Sequence, residues 1–414
     1  MLTTIIYRSR LCNSVAFKEI ECMVAAASKN NEQKNITGIL LFNGIHFFQL
    51  LEGPENAVKE IYSAICEDKR HYNVVELLCD YAPARRFGKT GMELFDLREY
   101  SQEKVLQAVL NQGTTRYQLT YNDRALQFFS SFVIGAYNAN YFEIPPAESW
   151  LFTKDESSVS LCQPDAECTF AFQPIIDPMA GDIIAYEALV RTRDGLSPEI
   201  FFNALEGDEV YKADLNSKRT AFEMARMLPL NNKLLSINLL PMTLVKIPDA
   251  VNILLKDIAA NQIVPEQVIV EFTENAVISN FDEFSAAVKA LKYAGINVAI
   301  DHFGAGGGGL LLLSRFQPDR IKINRDLIEN IHKSGPQQSI LLAIIHCCRS
   351  LEIQISVVGI EKIEEWMWLE SAGIEHFQGN LFAPAYLNGL PAINWPEKKN
   401  TILNKALTIY CLTI

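Results

Sequence analysis

No apolar run in these 414 residues reaches the length of about 18 uninterrupted positions that a membrane helix needs. The nine cysteines are scattered and none forms a CxxC pair, which removes a dithiol redox motif and a zinc knuckle from consideration. Cys347 and Cys348 are adjacent in an expected helix and read as packing residues. Basic residues are in deficit, 37 against 49 acidic ones, for a net charge of −12. Direct binding to nucleic acid needs basic stripes and is not expected; a basic protein partner is compatible. The opening MLTTIIYRSR puts Arg8 and Arg10 after the apolar stretch, the wrong order for a secretory signal. A reduced, cytoplasmic setting with no membrane attachment is the expectation.

What is present is apolar surface for two domains: 49% of the residues are hydrophobic and 21% charged. The most informative stretch is Gly38 to Pro54, GILLFNGIHFFQLLEGP. Asn43-Gly44 reads as a hairpin turn and Gly53-Pro54 as a closing turn. Between them Gln49 stands alone among Phe47, Phe48, Leu50 and Leu51. A buried amide must be hydrogen-bonded or it costs folding energy. It donates and accepts, and turning it over swaps the two roles. The plain reading is a core Gln satisfied by backbone; the functional one is a hydrogen-bond switch.

Residues 1–96 alternate as strand, helix, strand, strand, helix, strand, strand, with helices over 16–29 and 55–67. That order predicts a ferredoxin-like α+β sandwich with its helices on one face. Tyr7-Arg8-Ser9 ends the first strand, Asn30-Asn31 ends the first helix, and Asp68, Arg70 and His71 follow the second. Met92 lies in a late strand. This set resembles the BLUF family of flavin-based blue-light sensors across roughly residues 1–100. The resemblance implies FAD as the cofactor and a hydrogen-bonded Tyr7–Gln49 pair beside the flavin ring. It implies that Asn31 holds the carbonyl and imide edge, that Asp68, Arg70 and His71 lie along the flank and tail, and that Met92 packs near Gln49. Many members carry Trp two residues before that Met; here the position is Thr90, so tryptophan-dependent switching is not implied.

Residues 98–168 read as a connector. Gln102 to Asn111 is short and amphipathic. Asp123 to Asn138 spaces Leu126, Phe128, Phe129, Phe132, Val133 and Tyr137 mostly as a helix does, until Pro145-Pro146 stops it. Docking onto a sheet is the physical expectation, with signal transmission as its consequence and a homodimer face as the alternative use. Thr153 to Cys168 is polar and reads as a linker.

From 169 to 396 strands alternate with helices. Strands are expected over 170–176, 183–190, 234–239, 267–272, 296–301, 320–323, 353–358 and 376–382, which predicts an α/β TIM-type (β/α)8 barrel with its chemistry at the C-terminal strand ends. Polar residues stand there: Glu187, Asn238, Glu271 with Glu274, Asp301, Lys322 and Gln378. Such an oxygen-rich set suits Mg or Mn. Residues 397–414 form a tail.

The series resembles the EAL family of cyclic di-GMP phosphodiesterases, through Gln173-Pro174-Ile175, Glu187-Ala188-Leu189 and Gln378-Gly379-Asn380-Leu381-Phe382. The resemblance implies Glu187, Asn238, Glu271 and Asp301 as metal ligands, Lys322 on the water or phosphate, Gln378 in support and Arg191 on a phosphate. Several positions depart. Where active members pair two aspartates, this chain has Asp301-His302. Val358 replaces a Glu, Asn324 an Asp, and Pro384 a Lys or Arg; Gly306-Gly307-Gly308-Gly309 replaces a loop with side chains. Val358 offers no ligand, and His302 brings no negative charge for a second cation. The site is therefore expected to be vestigial, without catalysis or a working metal centre. The expected function is blue-light signalling through protein binding, with a helix-turn-helix transcriptional repressor as partner and biofilm-type regulation as outcome. Two alternatives stand beside it: a light-activated cyclic di-GMP phosphodiesterase using Mg or Mn, and a cyclic di-GMP receptor without turnover.

Overall fold

The computed structural model describes residues 2–15, 17–82, 85–111, 123–135, 143–155, 158–164, 166–203, 205–275, 278, 280–315 and 317–399. Tyr137, Asn138 and the tail from Asn400 lie outside them. The chain falls into two compact units, Met1–Ile144 with Asn330–Ile340 and Pro145–Glu329 with Leu341–Ile414.

The first unit runs β1 (Leu2–Leu11), α1 (Phe17–Gln33), β2 (Thr37–Phe42), β3 (His46–Pro54), α2 (Glu55–Cys66), β4 (His71–Ala82) and β5 (Gly91–Asp96). The five strands lie in the order β4-β1-β3-β2-β5, a ferredoxin-like sandwich. Asn43 makes the hairpin between β2 and β3 by accepting from the Ile45 and His46 amides at 3.0 and 2.7 Å. Two local expectations shift. Helix α1 continues through Asn30 and Asn31 and stops where Asn35 turns left-handed (φ 56°), with the Ile36 amide donating to the Asn31 carbonyl at 2.8 Å. Gly53 is not in a turn: β3 runs through to Pro54, and a Cβ at Gly53 would sit 2.8 Å from Ile36 Cγ1.

Period-2 alternation gives the sheet two apolar faces. Tyr7, Leu40, Phe47 and Leu51 pack toward α1 and α2. Ile6, Ile39, Leu41, Phe48 and Leu50 pack on the other side with Val105 and Val109 of α3 (Gln102–Leu110) and with α4 (Arg124–Val133). The side chain of Asp123 caps α4, accepting from the Ala125 amide at 2.9 Å. Leu126, Phe129 and Phe132 then fall on one stripe. Phe129 and Phe132 lie 5.1 and 5.0 Å from the Phe48 ring. The aromatic segment docks onto the sheet, as its spacing predicts.

The second unit is a closed barrel of eight strands: β8 (Cys168–Asp177), β9 (Asp182–Thr192), β10 (Leu234–Asn238), β11 (Val268–Thr273), β12 (Asn297–Phe303), β13 (Arg320–Ile323), β14 (Gln354–Val357) and β15 (His376–Phe377), which pairs back onto β8. Neighbours from β9 to β15 are parallel, joined by helices. Strand β8 departs from the all-parallel pattern and is antiparallel to both β9 and β15. The turn between Asp177 and Asp182 is too short for the crossover a parallel pair requires. The expected linker also carries structure. Strand β6 (Trp150–Lys154) pairs with Asn394–Lys398, and β7 (Val159–Ser160) with Gly389–Leu390. Thr153 and Lys154 of that stretch belong to β6 and Ser160 to β7, all three exposed. Eight cysteines fall among the described residues and all are free.

Candidate functional sites: a slot on the sheet and a charged barrel mouth

A cavity of about 240 Å³ opens between α1 and α2 with the sheet as its floor. Its lining includes all seven positions expected there: Tyr7, Asn31, Gln49, Asp68, Arg70, His71 and Met92. Strand pairing explains the meeting. Tyr7 is directly opposite Gln49 in the β1–β3 register, and Gln49 is opposite Leu40 of β2, whose Gly38 is opposite Met92 of β5. The Tyr7 hydroxyl donates to Gln49 Oε1. Gln49 Nε2 in turn faces Met92 Sδ at 3.8 Å. Gly38 leaves room between Asn31 and Met92, since a Cβ there would stand 2.8 Å from Asn31 Nδ2 and 3.4 Å from Met92 Cγ. Burial, then the nearby Cys66 and Asp68, pushes the Tyr7 phenol well above its usual range. It stays protonated and keeps its donor.

The rim is ionic. Arg70 clasps Asp68 at 2.5–2.9 Å and lowers its pKa. Burial lowers the His71 pKa, so the ring is neutral near pH 7. Within the lining, Ser9 Oγ and His71 Nδ1 are buried without a hydrogen-bond partner. Orphaned polar atoms beside an apolar slot fit a flat heteroaromatic ring with carbonyl and N–H edges. Ser9, in the Tyr7-Arg8-Ser9 run that carries the resemblance, joins the seven positions in the lining, and Gly38 lies beside Asn31 and Met92. The place of Ser9 there follows from its period-2 step after Tyr7.

In the barrel the expected polar residues also converge. Lys322 Nζ lies 2.7 Å from both Glu187 Oε2 and Glu271 Oε2, and 3.8 Å from Asp301 Oδ1. Asn238 and Gln378 donate to Glu187 at 2.7 and 2.8 Å. Gln378 also meets Gln173 at 3.2 Å, and Ser236 donates to Glu271. Oxygens of Glu187, Glu271 and Asp301 all fall within 4.8 Å of one another, close enough to share one hard divalent ion. Gln378 Oε1 is buried beside them without a partner. The donor set thus fits one such ion. Burial alone would lower the Lys322 pKa, but Asp301, Glu187 and Glu271 carry it above the usual ammonium range. Burial raises Glu271, while Lys322 and His302 hold Asp301 low. Lys322 is therefore the counter-ion of the acidic cluster in this arrangement.

The departures have physical places. His302 is held left-handed (φ 56°) and bonds Asp301 through Nδ1 at 2.8 Å. Val358 follows β14, its amide on the Ile323 carbonyl, and puts no ligand beside the carboxylates. Asn324 turns to Asp326 at 3.1 Å. Arg191 Nη1 is spent on the Val190 carbonyl at 2.8 Å. The glycine loop is not without a side-chain anchor: Glu274 accepts from the Gly304 and Gly309 amides at 2.6 and 2.7 Å.

Two family profiles cover these two sites. One described as "Sensors of blue-light using FAD" matches residues 2–93, and one described as "EAL domain" matches residues 163–385. The chain belongs to the BLUF–EAL family. Among its relatives, the Escherichia coli protein named "Blue light- and temperature-regulated antirepressor BluF" is 62% identical over 96% of this chain and all of its own. Klebsiella pneumoniae BlrP1, solved as a manganese and cyclic di-GMP complex, is 41% identical with a TM-score of 0.90 over 96% of this chain and all of that one. The same protein solved with FMN and cyclic di-GMP and no metal ions gives 38% and 0.85 over the same shares. Both the BLUF sheet and the EAL barrel thus have counterparts in order along one relative. Among the described residues no helix is long and apolar enough to cross a membrane.

Proposed function

We propose that this chain is a blue-light receptor whose EAL unit acts by binding another protein rather than by hydrolysis. The reading rests above all on the Tyr7–Gln49–Met92 line along the cavity floor. Asn31, Asp68, Arg70 and His71 would hold a flavin there, FAD in keeping with the family's description. The bound flavin would supply absorption of blue light and an electron acceptor beside Tyr7. Gln49 now accepts from Tyr7 and points its amide nitrogen at a weak sulfur acceptor. Turning the amide over would place Nε2 against Tyr7 and Oε1 elsewhere, giving a second stable pattern. Such a bistable element is what a light signal needs. Phe48, next along β3, meets Phe129 and Phe132 of α4 and would carry the change to the connector.

On the barrel side, His302 and Val358 stand where the EAL resemblance puts carboxylates of active members, and neither offers the negative charge that a second metal requires. Glu187, Asn238, Glu271, Asp301, Lys322 and Gln378 then serve as a retained charged scaffold. The Escherichia coli relative is named an antirepressor, which supports a repressor as the partner; the reading takes it to be a transcriptional one of helix-turn-helix type. The net charge of −12 suits a basic DNA-binding protein. The test is release of such a repressor from its operator by the flavin-loaded chain, in darkness and in blue light. Release in neither state would sink the reading.

A second reading, light-controlled binding or hydrolysis of cyclic di-GMP, is supported by the three carboxylates within 4.8 Å and by the BlrP1 complexes. Turnover of cyclic di-GMP with Mn under blue light would favour it; the expected result is none.

A further inference from the structure

A second connection, of hydrogen bonds ending in an ion pair, runs from β3 to the start of α4. Glu52 stands three residues beyond Gln49 on β3 and is buried. It accepts from Thr4 Oγ1 at 3.2 Å and from the backbone amides of Arg86 and Phe87, both at 3.1 Å. The loop leading to β5 is thereby tied to β3. The Arg86 side chain, itself buried, donates to Thr4 Oγ1 at 3.0 Å and to Asp80 Oδ2 at 2.5 Å. Its Nε lies 3.6 Å from Asp123 Oδ2. Asp123 is the residue whose other oxygen caps α4.

We propose that Arg86 is a coupling residue: through Glu52 it follows β3, and through Asp123 it sets the hold on the N-terminus of α4. Arg86 touches β1, β3, β4 and the α4 cap, so a displacement of β3 at Gln49 changes its distance to Asp123. Charge pairs this far from solvent are weakly screened and respond steeply to distance. The cap converts that response into fraying or tightening of the first turn of α4. The apolar route through Phe48 governs the middle of the helix, and the ionic route governs its start. This inference rests on the light-receptor reading above.

The deciding variant is Asp123→Asn. Asparagine caps as well as aspartate but carries no charge for Arg86. Asp123→Ser, a second neutral cap, guards against a defect particular to Asn. The measurement is amide hydrogen exchange of peptides spanning 124–133 in the full flavin-loaded chain, dark and under continuous blue light. In the wild type, exchange at the start of α4 should differ severalfold between the two states. In both variants the light-induced absorption shift should persist while that difference collapses. A wild-type difference retained in both variants overturns the proposal. So does a wild type that shifts its absorption with no change in α4, which would leave the light-receptor reading standing. Absence of the absorption shift in the wild type overturns both.

Discussion

Gln49 and Phe48 are consecutive on β3 and face opposite sides of one sheet. Gln49 takes the Tyr7 hydroxyl on the cavity side, while on the other Phe48 stacks on Phe132 and meets Phe129 of α4 edge to face. The chain therefore separates the proposed light-sensing chemistry from its mechanical outlet by the thickness of a single strand. The residue beside Gln49 thus sits in an aromatic contact with α4.

Phe129 is fully buried in that contact. Phe129→Ala removes a ring from a packed cluster and should cost about 3–5 kcal/mol of stability in the first unit. Chemical denaturation followed by fluorescence reads this directly. The flavin spectrum in the dark should be nearly unchanged, because the cavity lies on the opposite face. A cost under about 1 kcal/mol would mean that α4 is not docked as described.

Gly38→Ala should disturb the cavity without touching Tyr7 or Gln49. The added Cβ meets Asn31 Nδ2 at 2.8 Å and crowds Met92. Both must give way, so weaker flavin retention and an altered absorption maximum are expected. Normal flavin affinity, measured by release on dilution, would contradict the role given to this glycine.

The pH response follows from His71. Burial lowers its folded-state pKa, and the adjacent Arg70 lowers it further against the opposing pull of Asp68. The unfolded chain protonates near pH 6.5, before the folded one does. The contribution of His71 is therefore fully present above about pH 6.5 and is lost as pH falls through the depressed folded value. Melting temperatures of wild type and His71→Gln should converge at low pH. Parallel curves down to pH 5 would contradict the assignment.

Lys322 is predicted to be structural. Lys322→Met leaves Glu187, Glu271 and Asp301 buried together without a cation, and should destabilise the barrel by about 3–5 kcal/mol. Added Mn should raise the melting temperature of this variant more than that of the wild type, by replacing the lost charge. No destabilisation would mean that the carboxylates are already protonated or hydrated.

Much of this was legible in the sequence, because period and punctuation are local. The asparagine hairpin, the lone Gln49 in an apolar strand and the polar residues closing apolar strands all announced themselves. The seven cavity residues come from five segments, and only the resemblance joined them. What stayed hidden depends on distant pairing. The antiparallel β8 closes against β15, some 200 residues away in sequence, and β6 finds its partner at Asn394–Lys398. Nothing local says so. The Glu52–Arg86–Asp123 connection was equally silent, since each residue alone looks like ordinary surface charge. The three-way pairing of Lys322 with Glu187, Glu271 and Asp301 was silent too, because it joins four separate strands.

The most direct test is the light-minus-dark absorption difference of the flavin-loaded chain, wild type against Gln49→Ala. The wild type should give a reversible shift to longer wavelength. Gln49→Ala should keep its flavin and give none, because Tyr7 has lost its exchangeable partner. The same reversible shift in Gln49→Ala would contradict the hydrogen-bond switch on which the whole account depends.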